Sequence, residues 1–315
     1  MWRYVLCMRF FAMPAGVLCV LAVAACSSSG QTTAPTIDVN ALKASVGPID
    51  VPAGIETTQC IVVPLGNKED VVVQSIEVDL APGSHHLIVY KTTEMERTEP
   101  LNCAPFTGIA LGTDIPLFFA NKEKAEFSFP AGIAQEIPAN QMVKIEAHYI
   151  NPSATALQGK GTVTFHTLPK ATAPAYQPAN FLFWGNTHID IPAGASFSTG
   201  PQFQAAPSGT HLFLVTTHQH HLGTRAQIWA SAQAGDMSKP LTDDTDWSNP
   251  SWKMLSPQVD FNGTNGLSFQ CDWMNTTSQT VSFGESANDE MCFIGGYYYP
   301  SQGLSLCVNG KCRIK

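Results

Sequence analysis

Apolar positions along this chain gather into short runs, β-branched or aromatic in character, that end at a glycine, a proline or a polar turn. IVVPLG at 61–66, DVVVQSIEVDL at 70–80, HHLIVY at 85–90, MVKIEAHYI at 142–150, GTVTFHTL at 161–168, NFLFWG at 180–185, GTHLFLVTT at 209–217 and TVSFG at 280–284 are of this kind. None has the three-to-four spacing of an amphipathic helix of ordinary length. Short strands punctuated by 24 glycines and 22 prolines predict an all-β chain of sandwich or jelly-roll type.

Two features divide that chain into tandem jelly-roll β-sandwich domains. Residues 169–180 are rich in proline and alanine and read as a linker between a first domain at 48–168 and a second at 181–315. The phrase Ile49-Asp50-Val51-Pro52-Ala53-Gly54 recurs as Ile189-Asp190-Ile191-Pro192-Ala193-Gly194, on either side of the linker. A partial third copy, Phe127-Ser128-Phe129-Pro130-Ala131-Gly132, leaves open that the phrase is only a favoured strand-to-turn device.

The N-terminus breaks the strand pattern. Arg3 and Arg9 precede an apolar stretch from Phe10 to Ala25, too short for a spanning helix and laid out like a secretory signal over residues 1–25. Val23-Ala24-Ala25-Cys26 has the form of a bacterial lipobox, which makes Cys26 the lipidation site and residues 26–47 a flexible tether. The expectation is an exported cell-envelope lipoprotein held to a membrane by its lipid, at the outer membrane or facing the periplasm. Cysteine usage agrees: Cys60, Cys103, Cys271, Cys292, Cys307 and Cys312 remain in the mature body, an even set that suggests disulfides. Asn309-Gly310 midway between Cys307 and Cys312 predicts a tight hairpin that sets those two sulfurs opposite each other.

At 44% hydrophobic and 13% charged residues, with a net charge of -8, the chain has ample apolar material for a core and no disorder signature. Lys and Arg nowhere cluster with aromatics, so nucleic acid is excluded as a partner.

Candidate chemistry lies in the histidines. Thr216-Thr217-His218-Gln219-His220-His221 follows an apolar run, and strand alternation would put His218 and His220 on one face and His221 on the other. His85 and His86 are adjacent, so both can reach one metal only at a strand start or bulge, which Pro82-Gly83 makes available. His148 stands in the strand-like KIEAHYINP, and Met291 in DEMC. Singly, each has a plain alternative: a polar strand face for the pairs, a hydrogen-bonded residue for His148, core filler for Met291.

In order, HHLIVY, AHYINP, HQHHLG and DEMC resemble the copper type II, ascorbate-dependent monooxygenases, the family of peptidylglycine α-hydroxylating monooxygenase and dopamine β-hydroxylase. The resemblance covers roughly residues 50 to 300. It implies that His85, His86 and His148 bind one copper, and that His218, His220 and Met291 bind a second in a separate cage across a shared cleft. It also implies Cys60–Cys103 and Cys271–Cys292 disulfides. Three imidazoles suit a copper that shuttles between oxidation states, and a thioether beside two imidazoles favours Cu(I) with positions open for O2. Zinc would prefer other partners, and no His-Glu-x-x-His pattern occurs.

By resemblance, the copper held by His218, His220 and Met291 activates O2 and takes hydrogen from a substrate C–H bond. The other copper delivers the second electron, and ascorbate or an equivalent reductant recharges both. Peptide-amidating members carry an Arg where this chain has Thr216, and an Asn and a Tyr where it has Phe293 and Gly295, which disfavours a glycine-extended peptide. Phe293 to Tyr299 (FIGGYYY) suggests instead an apolar, aromatic pocket with space at the glycines, Tyr297 and Tyr298 being either pocket or core. Glu146 is either near the first copper or solvent-facing, and His166, His188, His211 and His221 are read as structural. A non-catalytic copper-binding lipoprotein that buffers envelope metal would keep the same six ligands.

Overall fold

The computed structural model describes residues 40–104, 106 and 114–315. The signal at 1–25, lipidation at Cys26 and the tether up to residue 39 lie outside the described residues.

The first half holds β1 (Asn40–Val51), β2 (Glu56–Pro64), β3 (Val71–Leu80), β4 (Ser84–Thr92), β5 (Arg97–Asn102), β6 (Ile115–Ala120), β7 (Lys124–Ser128), β8 (Ile133–Ile137), β9 (Met142–Ile150) and β10 (Leu157–Pro169). The second half opens with β11 (Gln177–Gly185), β12 (Asp190–Ile191), β13 (Ser196–Ser198), β14 (Gln202–Ala205), β15 (Thr210–His218), β16 (Gly223–Ser231) and β17 (Lys239–Asp244). It closes with β18 (Lys253–Phe261), β19 (Gly266–Met274), β20 (Val281–Ser282), β21 (Phe293–Tyr299), β22 (Ser305–Val308) and β23 (Lys311–Ile314). The all-β, jelly-roll-like class expected from the alternation is the class that forms.

Two boundaries differ from expectation. Residues 40–47, read as tether, belong to β1, which pairs antiparallel with β10 and buries Ala44 and Val46. A strand that burial ties to a sheet is not free to act as a tether. The linker read at 169–180 shortens to the stretch between Pro169 and Gln177, because β11 pairs with β8 from Gln177 onward.

That β8·β11 pairing joins the halves. One eleven-stranded sheet runs β1-β10-β3-β8-β11-β21-β15-β18, with β7, β22 and β23 attached at its sides. The sheet β5-β2-β9-β4-β6, the sheet of β13, β14, β19, β16 and β17 and the two-stranded β12-β20 complete the architecture. From Asn40 onward the described residues form one compact unit.

The continuous apolar runs NFLFWG, HLFLV and FIGGYYY have a clear cause. Phe181, Phe183, Phe213, Phe293 and Tyr297 pack into the core of the first half, whereas Leu182, Trp184, Leu212, Ile294 and Tyr298 pack into the core of the second. Strands β11, β15 and β21 are therefore covered on both faces, and such strands have no polar side to show. A register slip between Leu212 and Leu214 sends Leu214 to the same core as Phe213. Polar contacts fix this seam: Tyr297 donates to the Leu117 carbonyl at 2.7 Å and Trp252 Nε1 to Asn121 Oδ1 at 2.9 Å.

The repeated phrase is a structural device, and two of its copies share more than a turn. In all three, the N–H after the glycine bonds back to the proline carbonyl, with Gly54, Gly132 and Gly194 at positive φ as a type II turn requires. In the two outer copies a buried asparagine clamps the turn. Asn151 Nδ2 donates to the carbonyls of Val51, Pro52 and Thr155, and Asn275 Nδ2 donates to those of Ile191, Pro192 and Gln279. Ser153 and Thr277 then hydrogen-bond to the matching Oδ1 atoms. The two halves are thus built on one local plan, with β9 corresponding to β19.

Asn151→Ala and Asn275→Ala should each lower stability by about 1–3 kcal/mol, since a buried carbonyl, Val51 or Ile191, loses the donor of the clamp. Urea unfolding would measure it, and a large effect in only one half would break the equivalence.

Candidate metal centre

The turn Ala81–Ser84 delivers the chain into β4, with Ser84 N–H bonded to the Ala81 carbonyl and Gly83 at φ 86°. Ser84 pairs with Tyr149 and His86 with His148, and the register slips between them. His85 is therefore the bulged residue, and the strict alternation that would separate adjacent histidines is suspended. His86 and His148 face each other across the β4·β9 ladder with ring centroids 4.9 Å apart, and His85 lies 5.1 Å from His148. One ligand nitrogen of each of the three lies within 4.8 Å of the others.

His218 and His220 reach the site differently from what strand alternation suggests. β15 ends at His218, and His220 sits beyond it at the head of a turn closed by the Gly223 N–H on the His220 carbonyl. The two rings nevertheless lie 5.2 Å apart, at right angles within a few degrees. The nitrogen that comes within 4.8 Å of both belongs to His85. The separate cages expected from the resemblance are thus one contiguous cluster of five imidazoles, with His85 common to both sets (5.9 Å to His218 and 5.6 Å to His220). Met291 is buried and lines the neighbouring aromatic cavity.

Nearly all of this is out of water: His86, His148 and His220 are 1% exposed and His218 is 7%. His85 alone is half-buried. Burial, then neighbouring imidazoles, holds His86 and His218 well below the ordinary histidine pKa and His85 at about 3. Burial puts His220 at about 4. His85, His86, His218 and His220 are therefore neutral at physiological pH and offer lone pairs rather than charge. His85 Nε2, both nitrogens of His86, His148 Nδ1, His218 Nε2 and His220 Nε2 are buried with no hydrogen-bond partner. Orphaned polar atoms converging in a protein interior call for a ligand, and imidazole sets of this kind suit copper. The donor set fits the metal.

Several supporting residues carry no signal in the sequence. Glu56, at the start of β2, accepts a hydrogen bond from His148 Nε2 at 2.7 Å, from the Ser286 hydroxyl at 3.0 Å and from the Ala287 N–H at 2.6 Å. That fixes the His148 tautomer and turns bare Nδ1 toward its neighbours. Burial raises the Glu56 pKa, but the bonds from His148 and Ala287 outweigh it and hold the carboxyl at about 2. The Asp289 carbonyl accepts from His220 Nδ1 at 3.0 Å, leaving Nε2 bare. The Glu290 carboxylate binds the N–H groups of His220 and Leu222 and the Trp273 indole, which anchors the turn behind His220.

Glu146 is buried, not solvent-facing. It accepts from Tyr90 and from the Phe106 N–H, and lies 3.4 Å from His86 Nε2. Burial pushes its carboxyl up to about 7. Phe106, held by that bond at φ 56°, inserts its ring between His86, His218, Phe183 and Phe293. A phenylalanine in this left-handed region is uncommon and is retained by what surrounds it.

The remaining histidines act as spectators: His221 bonds the Ala287 carbonyl, His211 pairs with Asp260 and His166 with Glu77. His188 is exposed at the mouth of a cavity.

Two cavities approach the cluster. One of about 610 Å³ is walled by Phe106, Phe183, Phe283, Phe293, Met291 and Leu306, with Glu285, Lys311 and Arg313 among its polar groups. The other, about 730 Å³, reaches His85 beside Trp247. The space expected at the FIGGYYY glycines is already filled, because a Cβ on Gly295 would meet the Phe181 ring at 2.9 Å and one on Gly296 the Leu214 carbonyl at 2.6 Å. Tyr297 and Tyr298 are core residues, their hydroxyls bonded to the Leu117 and Gly303 carbonyls. All three expected disulfides form: Cys60–Cys103, Cys271–Cys292 and Cys307–Cys312. Cys271–Cys292 tethers the residue after Met291 to β19.

A family model described as "Copper type II ascorbate-dependent monooxygenase, C-terminal domain" matches residues 198–312. No curated relative matches the chain. Among solved structures, the major capsid protein P2 of bacteriophage PM2 aligns at 8% identity and TM-score 0.36, over 83% of this chain and 97% of that one. The Sulfolobus Turreted Icosahedral Virus structure aligns at 11% identity and TM-score 0.32, over 83% and 90%.

Glu56→Ala should weaken metal retention at His85, His86 and His148 by roughly 10- to 100-fold, read by competition with a copper chelator. Metal-stripped protein should lose stability as pH falls below the ordinary histidine value of 6.5. The unfolded chain takes up protons that the buried rings refuse, with a slope of up to about 1.4 kcal/mol per pH unit for each imidazole. Thermal melts from pH 7 to pH 4 would measure it, and a flat profile would contradict the burial.

Proposed function

We propose that this protein, whose residues 198–312 match the model of the copper type II ascorbate-dependent monooxygenase C-terminal domain, is a copper-dependent monooxygenase. It hydroxylates a C–H bond of a small organic molecule with O2 and an ascorbate-type reductant. The observation that carries this reading is the convergence of five imidazoles whose orphaned nitrogens face one another in the interior.

His85, His86 and His148 hold one copper and His218, His220 and Met291 a second. When bound, copper supplies the one-electron chemistry that activates dioxygen and breaks the substrate C–H bond. The protein's own work is positional. Glu56 and the Asp289 carbonyl fix tautomers so that His148 Nδ1 and His220 Nε2 point inward. The Cys271–Cys292 bridge limits the travel of Met291. Phe106 separates the cluster from the aromatic cavity and keeps bulk water from its inner end.

The walls of that cavity select an apolar, ring-sized substrate body. Phe183 and Phe293 stack at 4.7 Å, and no cation stands at Thr216 to hold a peptide carboxylate. Anchored by a lipid on Cys26, the enzyme would work in the cell envelope on molecules that reach it there.

Purified protein should bind two coppers per chain and consume O2 with ascorbate once a substrate is found in a screen of apolar aromatic and amide compounds. His218→Ala and Met291→Ala should abolish product-coupled uptake without unfolding the chain. Copper bound tightly but inert to O2 across such a screen would point to a metal carrier instead.

A further inference from the structure

His85 differs from the other four rings. It is the half-buried member of the cluster, and it lines a cavity of about 730 Å³ formed by the turn before β4, the β6–β7 connection, the β9–β10 connection and the loop after β17. The Trp247 ring lies 6.4 Å from it by centroids and lines the same cavity. Asn121 also lines it. Its Oδ1 accepts the Trp252 indole proton, which fixes the amide, and its Nδ2 is left buried with no partner. Lys122 and Lys124 stand at the wall with one carboxylate, Glu123. Neither lysine joins an ion pair among the described residues.

An unpartnered amide donor, two free cations and a partly open histidine call for a small ligand rich in anionic oxygen. The cavity beside Met291 is walled differently, by four phenylalanines, with Lys311 and Arg313 among its polar groups. Resting on the monooxygenase reading, we infer that the 730 Å³ cavity is the docking site of the reductant, a small monoanionic enediol of the ascorbate class, and that electrons enter through His85. Substrate and reductant then approach the cluster by different doors and do not compete.

The electron balance closes. Each monoanionic enediol gives up one electron and one proton and leaves as its radical anion. Two of them supply the two electrons and two protons that, with one O2, convert R–H to R–OH and water. Lys122 and Lys124 attract the anion, and Asn121 Nδ2 donates to one of its oxygens. Glu123 limits that attraction.

Two measurements test this. In the first, copper-loaded protein is reduced anaerobically in a stopped-flow instrument with ascorbate and, separately, with a neutral hydroquinone. Lys122→Glu combined with Lys124→Gln should slow reduction by ascorbate about tenfold, while Glu123→Lys should speed it several-fold, a gain that misfolding does not produce. Reduction by the hydroquinone should stay within about twofold in every variant, the range over which steering of a neutral molecule is unaffected. Equal changes for both reductants, or none for ascorbate, would overturn the assignment.

In the second, metal-stripped protein labelled with 15N is titrated with ascorbate. The Trp247 indole and Asn121 amide signals should shift in the wild type and not in the lysine variant. Silence at both signals would also overturn it. Neither measurement depends on O2 uptake, so failure here and failure of the monooxygenase reading are distinguishable.

Discussion

Everything around the centre answers one constraint, the burial of imidazole nitrogens that have no partner. A buried polar atom without a hydrogen bond costs about 1–3 kcal/mol, and the orphaned nitrogens here are spread over five neighbouring rings. Their sum is on the order of the stability of a whole domain, about 5–15 kcal/mol. A fold does not hold such a cluster by accident. It needs rigid strands to set the rings, carboxylates and carbonyls to fix their tautomers, and a ligand whose binding offsets the cost. Metal coordination returns on the order of 10 kcal/mol per site in small metal-dependent domains, which is the right scale.

The seam between the halves is where that constraint is met. β11, β15 and β21 are apolar on both faces, so the second half cannot leave the first without exposing Phe181, Phe213 and Tyr297. Relative motion is the default for halves joined by small polar interfaces, and this interface is large and aromatic. Glu56 adds a polar tie across it, from His148 on one side to Ser286 and Ala287 on the other. The loop it grips runs on through Asp289 and Glu290, which set His220, into Met291. The two groups of histidines are mechanically linked through one carboxylate and one loop.

Much of this was legible in the residues. Strand periodicity reported the all-β class, the Asn-Gly hairpin reported the Cys307–Cys312 bridge, and Pro82-Gly83 reported the bulge that brings His85 and His86 together. What was hidden was hidden for physical reasons. The tether boundary misled because Asn40–Gly47 buries only alternate small residues, Ala44 and Val46, which carry little hydrophobic signal. His220 was placed on a strand face because alternation says nothing about where a strand ends. Glu56 sits 92 residues from His148, and the Asp289 contact uses a backbone carbonyl, which any residue could supply. The glycines of FIGGYYY suggested empty space, yet glycine in a strand also marks close approach by a neighbour, and here the neighbours are Phe181 and the Leu214 carbonyl. Joining of the two ligand sets at His85 was beyond reach, because it depends on how the halves dock rather than on any local pattern.

That joining bears on how chemistry at the centre would be kept in order. With His85 close to both His148 and the His218–His220 pair, the two groups of histidines are near each other, and a path for electrons need not cross open solvent. A compact cluster also has little wall left over, so approach is limited to the sides that the surrounding strands leave open. On one side Phe106 closes an aromatic chamber against His86 and His218. On the other, the half-buried ring of His85 shares a cavity with two lysines and an unpaired amide. The proposed substrate and the proposed reductant would thereby reach the histidines from different sides. That separation comes from the same docking of halves that buries the rings, so selectivity and metal binding depend on the same packing.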